Sequence, residues 1–370
     1  MRLLALLCAA WTAAAQAPAG DDAPVFRTTT RVVEMSVQAD WPGHAQVREL
    51  TARDLHLFDN NKPQDIKTLE RVASPANRQG TEHRAERRSI LLFDALNTGW
   101  GDQALARQQA AKTLARIPDG ETIAILLLAE GQLKLVHDFS SDRAALEALI
   151  RRLSGVAPKA GGGGNESPFS AARSTFRANP AASPAEAKYA TWAQRERILQ
   201  TLSALKTITR MVKGVPGQKN LLWLSAAFPL QINLMELGDD DAAAVESFYE
   251  KAVETTRELN AANVTIYPID ARGLMGSFAP LNTFSMIQLA ELTGGKAFYH
   301  TNDLAGMIRA AIEDSREGYV LTYSPSDLQD DGKYHTIRLR CEIRGVRLRY
   351  RQGYWADAAG KSKKPTAPDQ

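Results

Sequence analysis

From Ser89 onward, short apolar runs that end in polar corners alternate with amphipathic helical stretches, and this alternation constrains the fold more than any other feature of the chain. "SILLFD" (89–94), "TIAILLLAE" (122–130), "KNLLWLS" (219–225) and "VTIYPID" (264–270) read as buried strands. "LKLVHDF" (133–139) follows its predecessor across a tight turn at Gly131, which suits an antiparallel edge hairpin. Between the strands lie helical patterns. Asp102 is expected to cap a helix carrying Ala106, Ala110, Leu114 and Ile117 on one stripe, and Ser141-Asp142 starts "RAALEALIRRL". Further helices are read over 185–214, 242–263, 285–295 and 304–315, with "KAFYH" (296–300) as a strand between the last two. Strands followed by crossover helices from 88 to 316 argue for an α/β unit built on a doubly wound, mainly parallel sheet.

The flanks follow a different pattern. In residues 24–75, Val33, Met35 and Val37 alternate with Glu34, Ser36 and Gln38, and Leu55 and Leu57 precede an Asp-Asn-Asn-Lys-Pro turn. In residues 317–356, Ile337, Leu339, Cys341 and Ile343 alternate with Arg338, Arg340, Glu342 and Arg344, and beyond Gly345, Val346, Leu348 and Tyr350 alternate with Arg347, Arg349 and Arg351. That pattern is expected to be a hairpin with one apolar and one basic face, with Cys341 on the apolar side. Isolated strands and hairpins are marginal in water, so the two flanks are expected to pack together as one accessory β-sandwich carrying the α/β unit as an insertion. The Gly, Ser, Pro and Ala-rich stretch 157–184 reads as a flexible loop, and 357–370 as a disordered tail.

The first residues carry Arg2, an apolar run and then small residues, the pattern of a secretory signal peptide ending at Ala15. The chain is therefore expected to be exported, periplasmic or extracellular. Apart from Cys8 in that leader, Cys341 is the one cysteine, so the mature chain forms no internal disulfide. No segment outside the leader approaches the roughly 18 apolar residues that a membrane span needs. The 370 residues hold 45 basic and 42 acidic side chains, and a net +3 provides no long-range field for specific nucleic-acid binding.

In an open parallel sheet, ligands bind beyond the carboxyl ends of the strands. Asp94, Asn97 and Thr98 fall there after the first strand, Ser225 after "LLWL", Asp270 after "TIYPI", and the Gly-rich loop brings Asn165 toward the same edge. Such oxygen ligands suit a hard divalent cation, Mg²⁺ with waters completing its octahedron. The alternative reading gives Asp94 and Asp270 to local turns, their carboxylates accepting backbone N–H groups.

The strand ending in Asp94, the edge hairpin, "FSSDRAALEALIRRL" and "KNLLWLSAAFP" together resemble a von Willebrand factor A domain. The whole chain resembles the secreted VWFA-related proteins common in acidobacterial genomes. There, a segment like "LTARDLHLFDNNKPQDI" precedes the A domain and one like "GYVLTYSP", "GKYHTIRLR" and "RQGYW" closes it. The resemblance covers about residues 28–356 and implies a Rossmann-like fold that binds other macromolecules, often through a metal-ion-dependent adhesion site. The family's D-x-S-x-S motif falls on Asp94, Leu96 and Thr98; a threonine of the second loop falls near Gly164, and the aspartate of the third loop is replaced at Ser225-Ala226-Ala227. Asp94, Thr98 and Ser225 remain as a degenerate set. One carboxylate compensates a divalent charge poorly, so no Mg²⁺ or Mn²⁺ binding tighter than millimolar is expected, and no cofactor.

No catalytic set is present. The chain lacks a G-x-S-x-G elbow, a Walker loop and H-E-x-x-H, "GGGG" is not followed by Lys-Ser/Thr, and the six histidines are scattered. Arg338, Arg340, Arg347, Arg349 and Arg351 are weighed both as a grip on an anionic polymer and as a solvated strand face that resists edge pairing. The function expected is non-enzymatic binding of a protein or cell-surface partner through the top edge of the sheet. A cell-envelope assembly scaffold docking through the sandwich, and a hydrolase with an unrecognised site, are the alternatives.

Overall fold

The computed structural model describes residues 32–41, 49–71, 88–117, 121–153, 155, 184–215, 217–227, 242–274, 280–316, 318–327 and 331–356. The expected leader (1–15), Asn165, the loop up to residue 183 and the tail 357–370 lie outside the described residues. In chain order the elements are β1 (Val33–Asp40), a 3₁₀ turn (Ala52–Asp54), β2 (Leu55–Asp59), β3 (Lys62–Gln64), β4 (Ile66–Arg71), β5 (Arg88–Asp94), α1 (Trp100–Leu114), β6 (Thr122–Ala129) and β7 (Gln132–Ser140). Then come α2 (Arg143–Arg152), α3 (Pro184–Val212), β8 (Lys219–Ser225), α4 (Ala242–Ala261), β9 (Val264–Asp270), α5 (Pro280–Thr293) and α6 (Leu304–Arg316). Four strands close the chain: β10 (Tyr319–Tyr323), β11 (Tyr334–Cys341), β12 (Arg347–Tyr350) and β13 (Gly353–Trp355).

The central sheet runs β7-β6-β5-β8-β9. β6, β5, β8 and β9 are parallel, and β7 returns antiparallel to β6 through Glu130 and Gly131, both at positive φ as a two-residue hairpin turn requires. The expected strand at 296–300 is reduced to a single parallel bridge, Phe298 to Ile269. The chain starts in the middle of the sheet at β5, winds outward to β7, then crosses to β8, so the winding direction reverses between β5 and β8. Both faces are covered, which is why these strands read as continuous apolar runs. On one face Leu91, Phe93 and Leu224 pack with Ala106, Leu146 and Ile308 of α1, α2 and α6. On the other, Leu92, Leu126 and Trp223 pack with Leu205, Leu259 and Met286 of α3, α4 and α5. The expected cap at Asp102 is corrected: α1 begins after Gly99 as N-cap, and Asp102 sits within its first turn. Asp142 does cap α2, accepting the Ala145 N–H at 3.0 Å.

Two antiparallel four-stranded sheets, β12-β1-β10-β4 and β13-β11-β2-β3, face each other across a shared core. Strands from both ends of the chain pair directly, β1 with β10 and β2 with β11. Val33, Met35 and Val37 turn inward from β1 to meet Leu57, Tyr323, Ile337 and Leu339, each burial contributing roughly 1.5–3 kcal/mol before entropy is counted. Asp59, a carboxylate buried in this sandwich, is satisfied by the hydroxyls of Tyr323 (2.9 Å) and Tyr354 (2.8 Å) and by His335 Nδ1 at 3.1 Å.

The expected Arg-lined hairpin is a correction. β11 and β12 do not pair; the turn at Gly345 carries the chain from one sheet of the sandwich to the other. Arg338 and Arg340 therefore stay outside on β11, stacked over Phe58 at 4.9 and 5.6 Å. Arg349 and Arg351 instead face the α/β unit. Arg349 forks to Asp40 of β1 and Asp314 of α6, with Nε–Oδ2 2.8 Å and Nη2–Oδ1 2.6 Å as the shortest contacts. Arg351 donates to the carbonyl oxygens of Asn260, at the end of α4 (2.6 Å), and of Glu34 (2.7 Å). Arg347, at the start of β12, is exposed. With Asn263 donating to Glu34 and Ser36 to Gln218, every one of these joints lies at the amino ends of β8 and β9 or the carboxyl ends of their helices. The sandwich docks at the end of the central sheet opposite to Asp94, Ser225 and Asp270.

Candidate functional site

Alternation along the strands decides what meets at the carboxyl edge. Asp94 shares the face of Ile90 and Leu92, and Ser225 that of Trp223, while the register sets Leu92 beside Trp223. The Asp94 carboxylate is consequently ringed by donors. Oδ1 accepts the Asn97 backbone N–H at 3.0 Å, and Oδ2 accepts the Asn97 amide at 2.9 Å, the Trp223 indole N–H at 3.0 Å and the Ser225 hydroxyl at 2.8 Å. Asp94 is 2 % exposed. Burial pushes its carboxyl up from the ordinary range, against the pull of the hydrogen bonds from Asn97, Ser225 and Trp223.

The loop after β5 is held as firmly. The N–H groups of Ala95 and Leu96 both donate to the Leu128 carbonyl of β6, at 2.8 and 3.1 Å. The Asn97 amide reaches Thr201 of α3 at 3.0 Å, Thr98 Oγ1 accepts the Ala226 N–H at 3.0 Å, and Gln103 donates to the carbonyls of Thr98 (2.8 Å) and Ala95 (3.3 Å). Asp94, Asn97, Thr98 and Ser225 thus meet beyond the strand ends, and all four are buried.

Asp270 stands beside Ser225 in register but turns to its own chain. The Arg272 backbone N–H (2.9 Å) and Nε (3.0 Å) donate to Oδ1, and Nη2 (2.7 Å) donates to Oδ2. This is the local turn closed by a guanidinium fork. Asp102, in the first turn of α1, feels both members: burial and the Asp270 carboxylate push it up to about 6, against Arg272. Trp223, Thr201, Arg272 and Gln103 were not among the expected site residues. Trp223 was accessible in principle, being two residues before Ser225 and hence on its face. The approach of Thr201 from a helix 104 residues away had no sequence signal.

A divalent ion does not fit this arrangement. Asp94 Oδ2 already takes three donors and Oδ1 one, so little of the single carboxylate is left to compensate a cation. Thr98 spends its oxygen on a backbone N–H, and Leu96 brings no oxygen. Among the described residues, no group of three or more His, Cys, Asp or Glu side chains is placed to hold a metal. No described helix is long and apolar enough to cross a membrane.

No family model matches the chain, and no curated protein matches it. Solved structures do align. One is described as a von Willebrand factor type A from Catenulispora acidiphila, at 10% identity over 90% of this chain and 74% of that one, with a TM-score of 0.35. Another is an aerotolerance-related membrane protein from Bacteroides fragilis, at 11% identity over 62% of this chain and 98% of that one, TM-score 0.33. The SpRpn10 VWA domain aligns at 9% identity over 60% of this chain and 94% of its own, TM-score 0.28. At such identities and scores, function has to be read from the geometry of this chain.

Proposed function

We propose that this chain is an exported, non-enzymatic binding protein whose α/β unit, of the von Willebrand factor A type, takes a protein or cell-surface partner at the carboxyl edge of its central sheet without a bridging metal ion. The reading rests on the state of that edge. The sandwich is joined at the opposite end, and the polar residues of the edge are spent on one another. Around them Trp100, first residue of α1, is 50% exposed, and Leu274, just beyond Asp270, is 51% exposed. An aromatic and an aliphatic side chain flanking a rigid polar floor form the kind of anchor that protein interfaces bury.

The test is affinity capture from envelope and culture-medium fractions with the wild type, Trp100→Ala and Leu274→Ser, each with and without a chelator. A partner retained in chelator and lost with either substitution supports the reading. A partner released by chelator, or indifferent to both substitutions but lost with Arg338→Ser and Arg340→Ser on the sandwich, contradicts it, the second result favouring the assembly-scaffold alternative.

A further inference from the structure

We infer that Arg107 is an anchor of the carboxyl edge, taking the carboxylate of an acidic side chain that the partner protein presents beside an apolar one. The inference rests on the proposed function and adds to it the chemistry of the partner. Arg107 lies on α1 two turns after Trp100, so the two side chains leave the helix on one face. Long helical side chains lean toward the amino end, which carries the guanidinium back toward Trp100 and the sheet edge. Gly155, beyond α2, marks where they meet: a Cβ there would lie 2.9 Å from Trp100 Cζ3 and 3.2 Å from Arg107 Nη2. With glycine at this position, indole and guanidinium sit side by side.

The guanidinium is partly buried and holds nothing. Among the described residues no hydrogen bond or ion pair reaches it. Burial pulls the group below its ordinary value, and no neighbouring carboxylate offsets that pull. The acids of this edge are committed elsewhere: Asp94 accepts from Asn97, Trp223 and Ser225, Asp270 is forked by Arg272, and Asp102 answers to Asp270 and Arg272. Arg107 shares a narrow cleft with Asp94, Thr98 and Leu153, which at about 10 Å³ has room for no more than a water. A ligand group therefore stays outside it, on the guanidinium itself. Five N–H donors in one plane, partly withdrawn from water and without an acceptor, are the complement of a planar oxyanion that takes two of them at once.

One cation selects a singly charged group. Arg272, at the same edge, is spent on Asp270, so it does not join Arg107 against a phosphate dianion, which pairs with clusters of arginines. A carboxylate matches both the single charge and the fork. Trp100, half exposed beside the guanidinium, gives ring surface to an apolar side chain next to that carboxylate.

The experiment is an array of short peptides, each with Glu, Asp, phosphoserine, Gln or Lys at its centre and varied apolar neighbours, probed with the full chain. The peptides that bind are then titrated against wild type, Arg107→Gln, Trp100→Ala and Arg338→Ser. The expected result is selection of Glu- or Asp-centred peptides whose affinity falls at least about tenfold in Arg107→Gln. Changing the peptide's central Glu to Gln should cost as much, and the two changes together no more than either alone. Trp100→Ala should weaken binding, Arg338→Ser on the sandwich should not, and the Arg107 Nε–H resonance should shift as peptide is added. Peptides that bind Arg107→Gln as well as wild type but are lost in Trp100→Ala overturn the anchor and leave the proposed binding edge standing. Peptides indifferent to both substitutions overturn both. An array that favours neutral, basic or phosphoserine centres, or binds nothing, overturns the carboxylate. Should Arg107→Gln lower the thermal midpoint, the Glu-to-Gln change in the peptide and the Arg107 resonance of the wild type decide the outcome.

Discussion

A carboxylate at the carboxyl end of a central strand either meets water and ligands or is consumed by its neighbours, and Asp94 is consumed. Its four donors stay buried if it is removed, and each unsatisfied buried donor costs about 1–3 kcal/mol, partly relieved by relaxation. Asp94→Ala should therefore destabilise the protein by about 3 kcal/mol or more in urea unfolding, and Ser225→Ala by about 1 kcal/mol. Asp102 makes a different prediction. Its folded carboxyl is raised from 3.8 to about 6, so between those pH values the folded state binds more protons than the unfolded one. Stability from this group is complete below the lower value and is lost as pH rises through the upper one. Asp102→Asn should raise the thermal midpoint at pH 7 relative to wild type, leave it unchanged near pH 3, and flatten the wild-type decline between; an unaltered pH profile would contradict the assignment.

The elements were largely legible. The strands ending at Asp94, Ser225 and Asp270 announce themselves because a sheet covered on both faces needs continuous apolar runs, and the β7 hairpin because Gly131 permits its turn. The alternation of β11 was equally plain, from Ile337 through Leu339 to Cys341. Its partner was not. Period-two patterns state which face a residue takes but not which sheet the strand joins, so Arg338 and Arg349 looked alike in sequence although one is solvated and the other clamps two elements. The candidate site was legible to the same depth: the strand ends nominated Asp94, Asn97, Thr98 and Ser225, whereas the donors that close it, Trp223 and Thr201, depend on register and helix placement. This split gives a direct test. Arg338→Ser and Arg340→Ser should each change stability by less than about 0.5 kcal/mol. Arg349→Met, which leaves Asp40 and Asp314 facing each other without their cation, should cost about 2 kcal/mol, the figure being tempered by partial exposure of the pair.

At the scale of the molecule, the two ends of the chain build one sandwich, and its sheets carry the α/β unit by the amino ends of β8 and β9. The polar contacts at that joint, Arg349 with Asp314 and Arg351 with Asn260, hold the sandwich at the other end of the sheet from exposed Trp100 and Leu274. On the proposed function this edge takes the partner, and the closure of Asp94 is what lets it do so without an ion. Isothermal titration of Mg²⁺ and Mn²⁺ into the wild type and Asp94→Ala tests that claim most directly. The account predicts no saturable heat tighter than about millimolar in either protein, since one carboxylate that already accepts four hydrogen bonds compensates a divalent charge poorly. Micromolar affinity in the wild type that Asp94→Ala abolishes would contradict it.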